Sequence, residues 1–364
     1  MKKVILSYVV IILLFINGNL AKAELNWSDV ISADAWVVMD SDTGEILLEK
    51  NKNEAHFPAS ITKIVTAIIA IEESELDEVV TVSRQAVATE GSSLTLKEGD
   101  QIHLKDLLYG IMLHSGNDGA VAVAEHISQT ENEFAQKMTS FARSIGAKNT
   151  NFVNASGLPN DLHYTTAYDM AIITRYAMKN PVFKKIVGHK TYKWDKHLWN
   201  SELESHEKEE AKKLGLPWTG EPQIINHNRL LTSYGGATGV KNGFTHKARY
   251  TVVGAAERNQ TELIAVIFRS DNVDTAFQDM KKLLDEGFSL SMKKNQKESN
   301  NDVIDEEKQQ ADLFTKQINE DRPFKQSSEN QSFTPNLKQI LFYLVVLAVM
   351  LITTVSFLIN MISK

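Results

Sequence analysis

Residues 35–49 read AWVVMDSDTGEILLE. Two short runs of β-branched and large apolar residues flank a Ser-Asp-Thr-Gly segment (residues 41–44), and glycine adopts the backbone conformations that a tight turn needs. The stretch therefore predicts an antiparallel hairpin near the start of the folded chain.

Strand-like sequence returns at the other end of this region, in residues 236–241, 250–257 and 262–268, followed by a helical pattern over residues 273–290. Between the two ends, apolar residues recur at helical spacing in residues 61–72, 104–112, 119–127, 131–145 and 167–178. Strands at both ends with helices between them predict one α+β domain, in which the terminal hairpins join a single antiparallel sheet.

Composition excludes several classes of function. Of the 364 residues, 43% are hydrophobic and 23% are charged, as in an ordinary folded protein. The formal net charge of −7 argues against a nucleic-acid partner, because phosphate binding needs a basic surface. The absence of cysteine excludes disulfides, thiolate metal sites and cysteine nucleophiles.

The ten histidines show no metal-ligand spacing in the sequence. The segment His-Glu-Lys-Glu-Glu (residues 206–210) is not the His-Glu-x-x-His motif of zinc peptidases. We therefore expect no metal and no cofactor.

The N-terminus has the organisation of an export signal. Two lysines precede the apolar run Val4–Phe15, and Ala21 and Ala23 occupy the small-residue positions of a cleavage site. Residues 1–23 are therefore predicted to be a signal peptide, with an uncleaved anchor helix as the alternative.

The C-terminus carries a second membrane signal. Residues 340–359 contain no charge, and about 20 such residues match the length of a bilayer-spanning helix. We expect residues 338–364 to be a transmembrane anchor, with a buried core helix as the alternative. Residues 292–337 are too polar to bury a core and predict a disordered linker, part of which, Asp305–Ile318, could be a polar helix. Residues 24–291 remain as the folded domain.

The segment Pro-Ala-Ser-Ile-Thr-Lys (residues 58–63) opens the first strong helix. Ser60 and Lys63 are three residues apart and share a face of that helix. A serine hydroxyl is a weak nucleophile until a base accepts its proton, and a lysine can do so if burial or a nearby cation lowers its pKa. The pair alone is a common coincidence, so its interpretation depends on other motifs.

Two further polar segments interrupt apolar sequence. Leu-His-Ser-Gly-Asn-Asp (residues 113–118) separates two helical runs and could direct Ser115 and Asn117 into a cleft. Gly-Val-Lys-Asn-Gly-Phe-Thr (residues 239–245) is predicted to end one strand and begin a turn, with Gly243 leaving room for a ligand backbone beside Lys241. Locally, the two segments could equally be a plain helix connection and a plain hairpin turn.

In this order, the three motifs resemble those of the penicillin-recognising serine D-alanyl-D-alanine carboxypeptidases, the low-molecular-weight penicillin-binding proteins of the S11 peptidase type. The likeness covers about Asp34 to Phe288 and includes further landmarks in residues 152–158, 163–171 and 226–231. It implies the DD-peptidase/β-lactamase-like fold, an antiparallel sheet flanked by helices, with a mainly helical second lobe carrying the Ser-Gly-Asn turn.

The resemblance implies a role for each catalytic candidate. Ser60 would attack the carbonyl between the two terminal D-alanines of a peptidoglycan stem peptide, and Lys63 would be its general base. Ser115 would relay a proton to the leaving amine, and Asn117 would hold the substrate amide. Penicillin and other β-lactams would acylate the same serine.

The resemblance also implies how the strand motif binds substrate. Lys241 would attract the terminal carboxylate and favour the neutral form of Lys63. The backbone N–H groups of Ser60 and Phe244 would form an oxyanion hole. This family usually has threonine, sometimes serine, where this chain has Asn242, so carboxylate binding is expected to differ. The chain also lacks the β-rich second domain of many relatives and is interpreted as a single-domain form.

Two alternatives remain open. Asn242 would fit a catalytically weak or silent homologue that still binds penicillin or peptidoglycan. A class A β-lactamase shares the three motifs but needs a deacylating glutamate between the second and the third. Glu202, Glu204, Glu207, Glu209, Glu210 and Glu221 lie in that region, in a hydrophilic stretch with no recognisable loop motif.

Overall fold

A computed structural model describes residues 27–320 of the chain. The chain divides into two compact units, Met1–Glu298 and Ser299–Lys364. The predicted signal peptide, the predicted anchor and the linker beyond Glu320 lie outside the described residues. Among the described helices, none combines the length and the apolar character that crossing a bilayer requires.

A five-stranded antiparallel sheet forms the centre of the first unit. Its strands are β1 (Ala35–Asp40), β2 (Ile46–Lys50), β7 (Ala237–Thr245), β8 (Arg249–Arg258) and β9 (Thr261–Ser270). They lie in the order β2-β1-β9-β8-β7, and the pairing of β1 with β9 joins the two ends of the domain, as the sequence predicted. Two small two-stranded sheets pair β3 (Val79–Thr81) with β4 (Gln101–His103) and β5 (Thr191–Lys193) with β6 (Gln223–Ile225).

Both faces of the sheet are covered, which explains why its strands read as nearly continuous apolar runs. Val37 and Met39 of β1 belong to the larger hydrophobic cluster, which includes the helical lobe. Trp36 and Val38 point the other way and belong to a smaller cluster with residues of the C-terminal helix.

Most of the described helices lie between β2 and β7. Within residues 27–320 they are α1 (Trp27–Val30), α2 (Lys63–Glu73), α3 (Arg84–Val87), α4 (Leu104–Tyr109), α5 (Asn117–Ser128), α6 (Glu131–Ser144), α7 (Ala167–Met178), α8 (Pro181–Gly188), α9 (Ser201–Lys213), α10 (Leu230–Ser233) and α11 (Val273–Glu320). A 3₁₀ turn, Ala59–Thr62, leads into α2, and a π-helical turn, Gly110–His114, follows α4.

Side-chain caps set several of the helix starts. Thr130 accepts a hydrogen bond from the Glu133 N–H at the start of α6, and Thr166 does the same for Asp169 at the start of α7. Asn180 caps α8, which has a proline at its first position. These caps satisfy backbone donors that the helices leave unpaired.

The lysine motif ends a strand, as predicted, but that strand extends beyond the predicted residues 236–241. Strand β7 continues to Thr245, and Asn242 and Gly243 pair with Val252 and Thr251 of β8. Pairing along the whole motif overrides the local turn preference of an Asn-Gly pair. Strand β7 is the last in the sheet order, so the motif lies on an edge strand.

The second difference concerns the predicted disordered linker. Its described part, from Met292 to Glu320, is helical, so the domain's last helix does not end at Ser291. Neither glycine nor proline occurs between Gly287 and Pro323, and the segment is rich in good helix formers. The structure therefore agrees with the alternative of a polar helix.

Candidate active site

Ser60 lies in the short 3₁₀ turn that leads into α2. Ala59, directly before it, has a φ of +51°, which is uncommon for a residue with a side chain. Strain of this kind is concentrated at functional sites because the surrounding structure must hold it in place. Ser60 itself is partly exposed, so its hydroxyl can be reached from solvent.

Lys63 is the first residue of α2 and is fully buried. Its Nζ lies 3.2 Å from Ser60 Oγ, 2.7 Å from Asn117 Oδ1 and 2.8 Å from the Ser156 carbonyl oxygen. Three oxygen atoms from three separate segments therefore surround one amine.

The surroundings of Lys63 disfavour its charged form. Burial is the main cause, and the positive charge of Lys241 adds to it, so the pKa of Lys63 is well below its usual 10.5. The Asp118 carboxylate acts in the opposite direction. Lys63 thus has the depressed basicity that a neutral proton acceptor requires.

The Ser-Gly-Asn segment connects the π-helical turn to α5. Asn117 is held at both ends of its amide, since Oδ1 accepts from Lys63 and Nδ2 donates to the Glu90 carbonyl at 2.6 Å. Ser115 is buried with a φ of +76°, and within the described part of the chain its hydroxyl makes no hydrogen bond. The structure therefore brings Ser60, Lys63 and Asn117 into one hydrogen-bonded group, and Ser115 lies two residues before Asn117 in the chain.

Sequence reasoning did not assign a role to the segment that supplies the Ser156 carbonyl. The next residue, Gly157, has a φ of +90°, and a Cβ there would lie 1.9 Å from the Ala59 carbonyl oxygen. A glycine is therefore required for this segment to reach the Ser60 turn. The Asn-Ala-Ser-Gly-Leu pattern (residues 154–158), noted as a family landmark, was the available signal.

The buried side chain of His163 is hydrogen-bonded to the 3₁₀ turn that carries Ser60. The Val153 N–H donates to His163 Nδ1 at 3.2 Å, so Nε2 carries the proton that is donated to Thr62 Oγ1 at 2.9 Å. Burial lowers the pKa of His163 to about 3, which keeps the ring neutral. His163 is thus a support for the turn that follows Ser60.

Strand β7 lies against the Ser60 turn and is called the strand wall below. The helical wall is the Ser60 turn with Lys63 and Asn117. Lys241 is buried, its Nζ lies 3.1 Å from the Asn242 carbonyl oxygen, and desolvation lowers its pKa to about 7. The side-chain oxygen of Asn242 is buried and has no hydrogen-bond partner among residues 27–320. Phe244 is exposed at the rim.

Gly243 allows the strand to approach the nucleophile turn closely. A Cβ at this position would lie 2.6 Å from the Ser60 backbone nitrogen and 2.9 Å from Thr251 Oγ1. The two motifs are therefore in direct backbone contact, and a side chain at residue 243 would separate them.

One further group of chemically active side chains lies outside this hydrogen-bonded group. Single donor atoms of His114, His206, Glu207 and His227 are all within 4.8 Å of one another. These residues come from separate parts of the chain, which is why spacing in the sequence did not reveal them.

Comparisons with known proteins agree on one family. The family model described as Peptidase_S11, D-alanyl-D-alanine carboxypeptidase, matches residues 21–272. D-alanyl-D-alanine carboxypeptidase DacF of Bacillus subtilis is 34% identical over 268 residues, which are 71% of this chain and 62% of that protein. DacB2 of Mycobacterium tuberculosis is 32% identical, with 71% and 83% covered.

Solved structures share the fold. The D-alanyl-D-alanine carboxypeptidase from Mycobacterium tuberculosis superposes with a TM-score of 0.62 at 30% identity, covering 71% of this chain and 92% of that one. The Streptomyces K15 DD-transpeptidase gives a TM-score of 0.62 at 30% identity, with 71% and 98% covered. The antiparallel sheet and the helical lobe are thus those of the DD-peptidase fold.

Proposed function

The chain belongs to the S11 family of D-alanyl-D-alanine carboxypeptidases, and from this premise we propose that it is a serine-type D-Ala-D-Ala carboxypeptidase. Its substrate would be a peptidoglycan stem peptide, cleaved through an acyl-enzyme on Ser60. The observation that carries the proposal is the fully buried Lys63 amine, 3.2 Å from Ser60 Oγ and held by two further oxygens.

The partners of Lys63 suit a neutral amine. The Asn117 amide oxygen and the Ser156 carbonyl can only accept hydrogen bonds, whereas the Ser60 hydroxyl can also donate. A neutral amine has two N–H groups for the two acceptors and one lone pair for the hydroxyl proton. Lys63 therefore accepts the proton of Ser60 as its oxygen attacks the scissile carbonyl.

The strand wall suits an extended peptide that ends in a carboxylate. Strand β7 is at the edge of the sheet, so one row of its backbone groups is available to a substrate backbone. Lys241 supplies a cation, and Asn242 can donate through its amide. The Ser60 and Phe244 N–H groups would stabilise the tetrahedral oxyanion.

Release of the acyl-enzyme completes the reaction. The leaving D-alanine amine takes a proton, and the Ser115 hydroxyl, on the helical wall, would relay it. Water then attacks the ester and regenerates Ser60. Penicillin would follow the first half of this route and remain attached to Ser60.

The experiment is mass spectrometry of the purified protein after penicillin and after a D-Ala-D-Ala peptide. We expect a covalent penicillin adduct on Ser60 and release of D-alanine. Ser60→Ala should abolish both signals, whereas Ser205→Ala, at an exposed helix position, should retain them. An adduct that survives Ser60→Ala would refute the assignment.

A catalytically weak or silent homologue is the first alternative, and the unpaired Asn242 oxygen is the observation in its favour. Penicillin labelling without release of D-alanine would favour it. The β-lactamase alternative is less well supported, because the hydrogen bonds of Lys63 go to Ser60, Asn117 and Ser156 and none goes to a glutamate within residues 27–320.

The sequence supports an extracytoplasmic, membrane-bound placement, which we include in the proposal. Residues 1–23 would be removed as a signal peptide, and residues 24–291 would be the catalytic domain. Residues 292–337 would link it to an anchor in residues 338–364. Fractionation of the full-length chain with membranes, and its loss on truncation before Lys338, would test this arrangement.

A further inference from the structure

The four side chains of the His114 group come from three parts of the fold. His114 ends the π-helical turn directly before Ser115, and His206 and Glu207 lie on α9. His227 follows β6, and its N–H donates to the Leu113 carbonyl oxygen at 3.2 Å. The three imidazoles and the carboxylate are therefore brought together by tertiary folding and not by their spacing in the sequence.

His227 is the first sign that this group lacks a component. Its Nε2 is buried and has no hydrogen-bond partner in the described part of the chain, although buried polar atoms in proteins are nearly always paired. An imidazole nitrogen that has no partner can bind a metal ion.

The contact between His114 and Glu207 is the second sign. His114 Nδ1 is in close contact with Glu207 Oε1, and its Nε2 lies 2.9 Å from the Ser93 carbonyl oxygen. Because Nε2–H donates to Ser93, Nδ1 without a proton would point its lone pair at the Glu207 carboxylate. Either a proton or a metal ion that replaces this proton must therefore lie between Nδ1 and Glu207 Oε1.

The surroundings resemble the outer shell of a metal centre. Metal-binding histidines usually donate their second nitrogen to a carbonyl, as His114 does to Ser93, and binding carboxylates are themselves hydrogen-bonded. The Ile225 N–H donates to Glu207 Oε2 at 2.8 Å. His206 is exposed, which gives an ion a path from solvent.

The geometry requires only small movements. Zinc bonds of about 2.1 Å place tetrahedral ligand atoms roughly 3.4 Å apart. The donor atoms of this group already lie within 4.8 Å of one another. Three imidazoles and a carboxylate suit zinc-type ions, whereas calcium and magnesium prefer all-oxygen ligands.

We propose that His114, His206, Glu207 and His227 bind one divalent transition-metal ion of the zinc type. The ion would join α9 and the loop after β6 to the turn that carries Ser115. It would take no part in the attack by Ser60, and its role would be to fix the position of that turn. The proposal does not depend on the peptidase activity.

The test uses the purified full-length protein, stripped with a chelator and dialysed against Zn²⁺ alone. We expect one bound Zn²⁺ per chain, a higher thermal unfolding midpoint with Zn²⁺ and no such change with Mg²⁺. Co²⁺ should give the intense visible absorption of a tetrahedral site. His206→Ala, at an exposed position that should not affect folding, is expected to weaken Zn²⁺ binding by about 100-fold.

His197→Ala is the matched control, because His197 is exposed and outside the group. Its Zn²⁺ binding should equal that of the unmodified protein. His227→Ala should lose binding as His206→Ala does, and if it fails to fold, His206→Ala alone decides. Equal Zn²⁺ content in the unmodified and His206→Ala proteins, or equal loss in His197→Ala, would overturn the proposal.

Discussion

On the helical wall, the Lys63 amine lies within 3.2 Å of three oxygen atoms. On strand β7, the Lys241 amine has one hydrogen-bond partner within residues 27–320, the Asn242 carbonyl oxygen at 3.1 Å, and the buried Asn242 side-chain oxygen has none there. Both lysines are buried, yet only the first has its hydrogen bonds satisfied within the protein.

This difference suits the two lysines to different roles, Lys63 to proton transfer and Lys241 to substrate binding. A fully bonded Lys63 is held in one geometry before substrate arrives, which is what a general base needs. Burial lowers the pKa of the incompletely bonded Lys241 to about 7, and a bound carboxylate would supply a partner and raise that pKa. We therefore propose that the helical wall serves the chemistry and the strand wall serves recognition.

The largest effect should follow from removing the base. Lys63→Ala leaves the Ser60 hydroxyl without a proton acceptor, and a positioned base typically contributes about 10²–10⁴. Penicillin acylation, followed by mass spectrometry over time, should slow by that factor with the thermal unfolding transition still cooperative. Acylation at the unmodified rate would assign the base to another group and end the proposed division between the walls.

A methyl group at Gly243 should disturb the contact between the walls. Its Cβ would meet the Ser60 nitrogen at 2.6 Å, and a misplacement of about 1 Å can cost roughly 10²-fold in rate. We expect Gly243→Ala to slow acylation by about that amount. Gly235→Ala is the matched control, because no atom lies within 4 Å of the Cβ built there.

If both glycine variants acylate at the same rate, the close approach of β7 to Ser60 has no catalytic value. If Gly243→Ala alone is slow, the contact between the two backbones positions the nucleophile.

Much of the fold could be predicted because its signals are local. Single stretches of sequence predict the turn in residues 41–44, the strands β8 and β9 and the helix α7. The pairing of the terminal hairpins follows from topology. The extent of β7 could not be predicted, because its Asn-Gly pair favours a turn and only pairing with β8 extends the strand.

The site divides in the same way. Ser60, Lys63 and Asn117 carry recognisable motifs, and the structure joins them. The Ser156 carbonyl could not be identified from its residue type, since any residue offers a backbone oxygen. The meeting of His114 with Glu207 depends on the packing of α9, a helix whose polar sequence did not predict its position.

Loss of the strand cation should have an intermediate effect. A hydrogen bond to a charged group is worth about 1.5–3 kcal/mol, so Lys241→Gln should lower kcat/KM for a D-Ala-D-Ala peptide by roughly 10–100-fold. Lys148→Gln, an exposed lysine, is the control and should have no effect.

The same variant should change the pH profile of penicillin acylation. The Lys241 charge helps to lower the pKa of Lys63, so its removal raises that pKa. A larger fraction of Lys63 is then protonated at a given pH, and the acidic limb of the rate profile moves to higher pH. An unchanged profile would mean that Lys241 acts on substrate binding alone.

The smallest effect should come from Asn242, where the chain departs from the usual threonine. A threonine hydroxyl is shorter and would remove the buried, unpaired oxygen that the asparagine amide leaves. Asn242→Thr should raise the turnover of a D-Ala-D-Ala peptide by about 10-fold, equivalent to roughly 1.4 kcal/mol. Asn242→Ala should lower turnover, because the amide donor is lost.

Steady-state release of D-alanine by the three proteins, measured together, tests whether residue 242 belongs to the recognition wall. The comparison predicts that penicillin acylation changes less than peptide turnover, because the Lys63 group is intact in all three. Faster turnover in Asn242→Thr with slower turnover in Asn242→Ala would mean that residue 242 donates to the carboxylate. If neither substitution alters turnover, Lys241 binds the carboxylate without it, and the unpaired oxygen of Asn242 has no part in recognition.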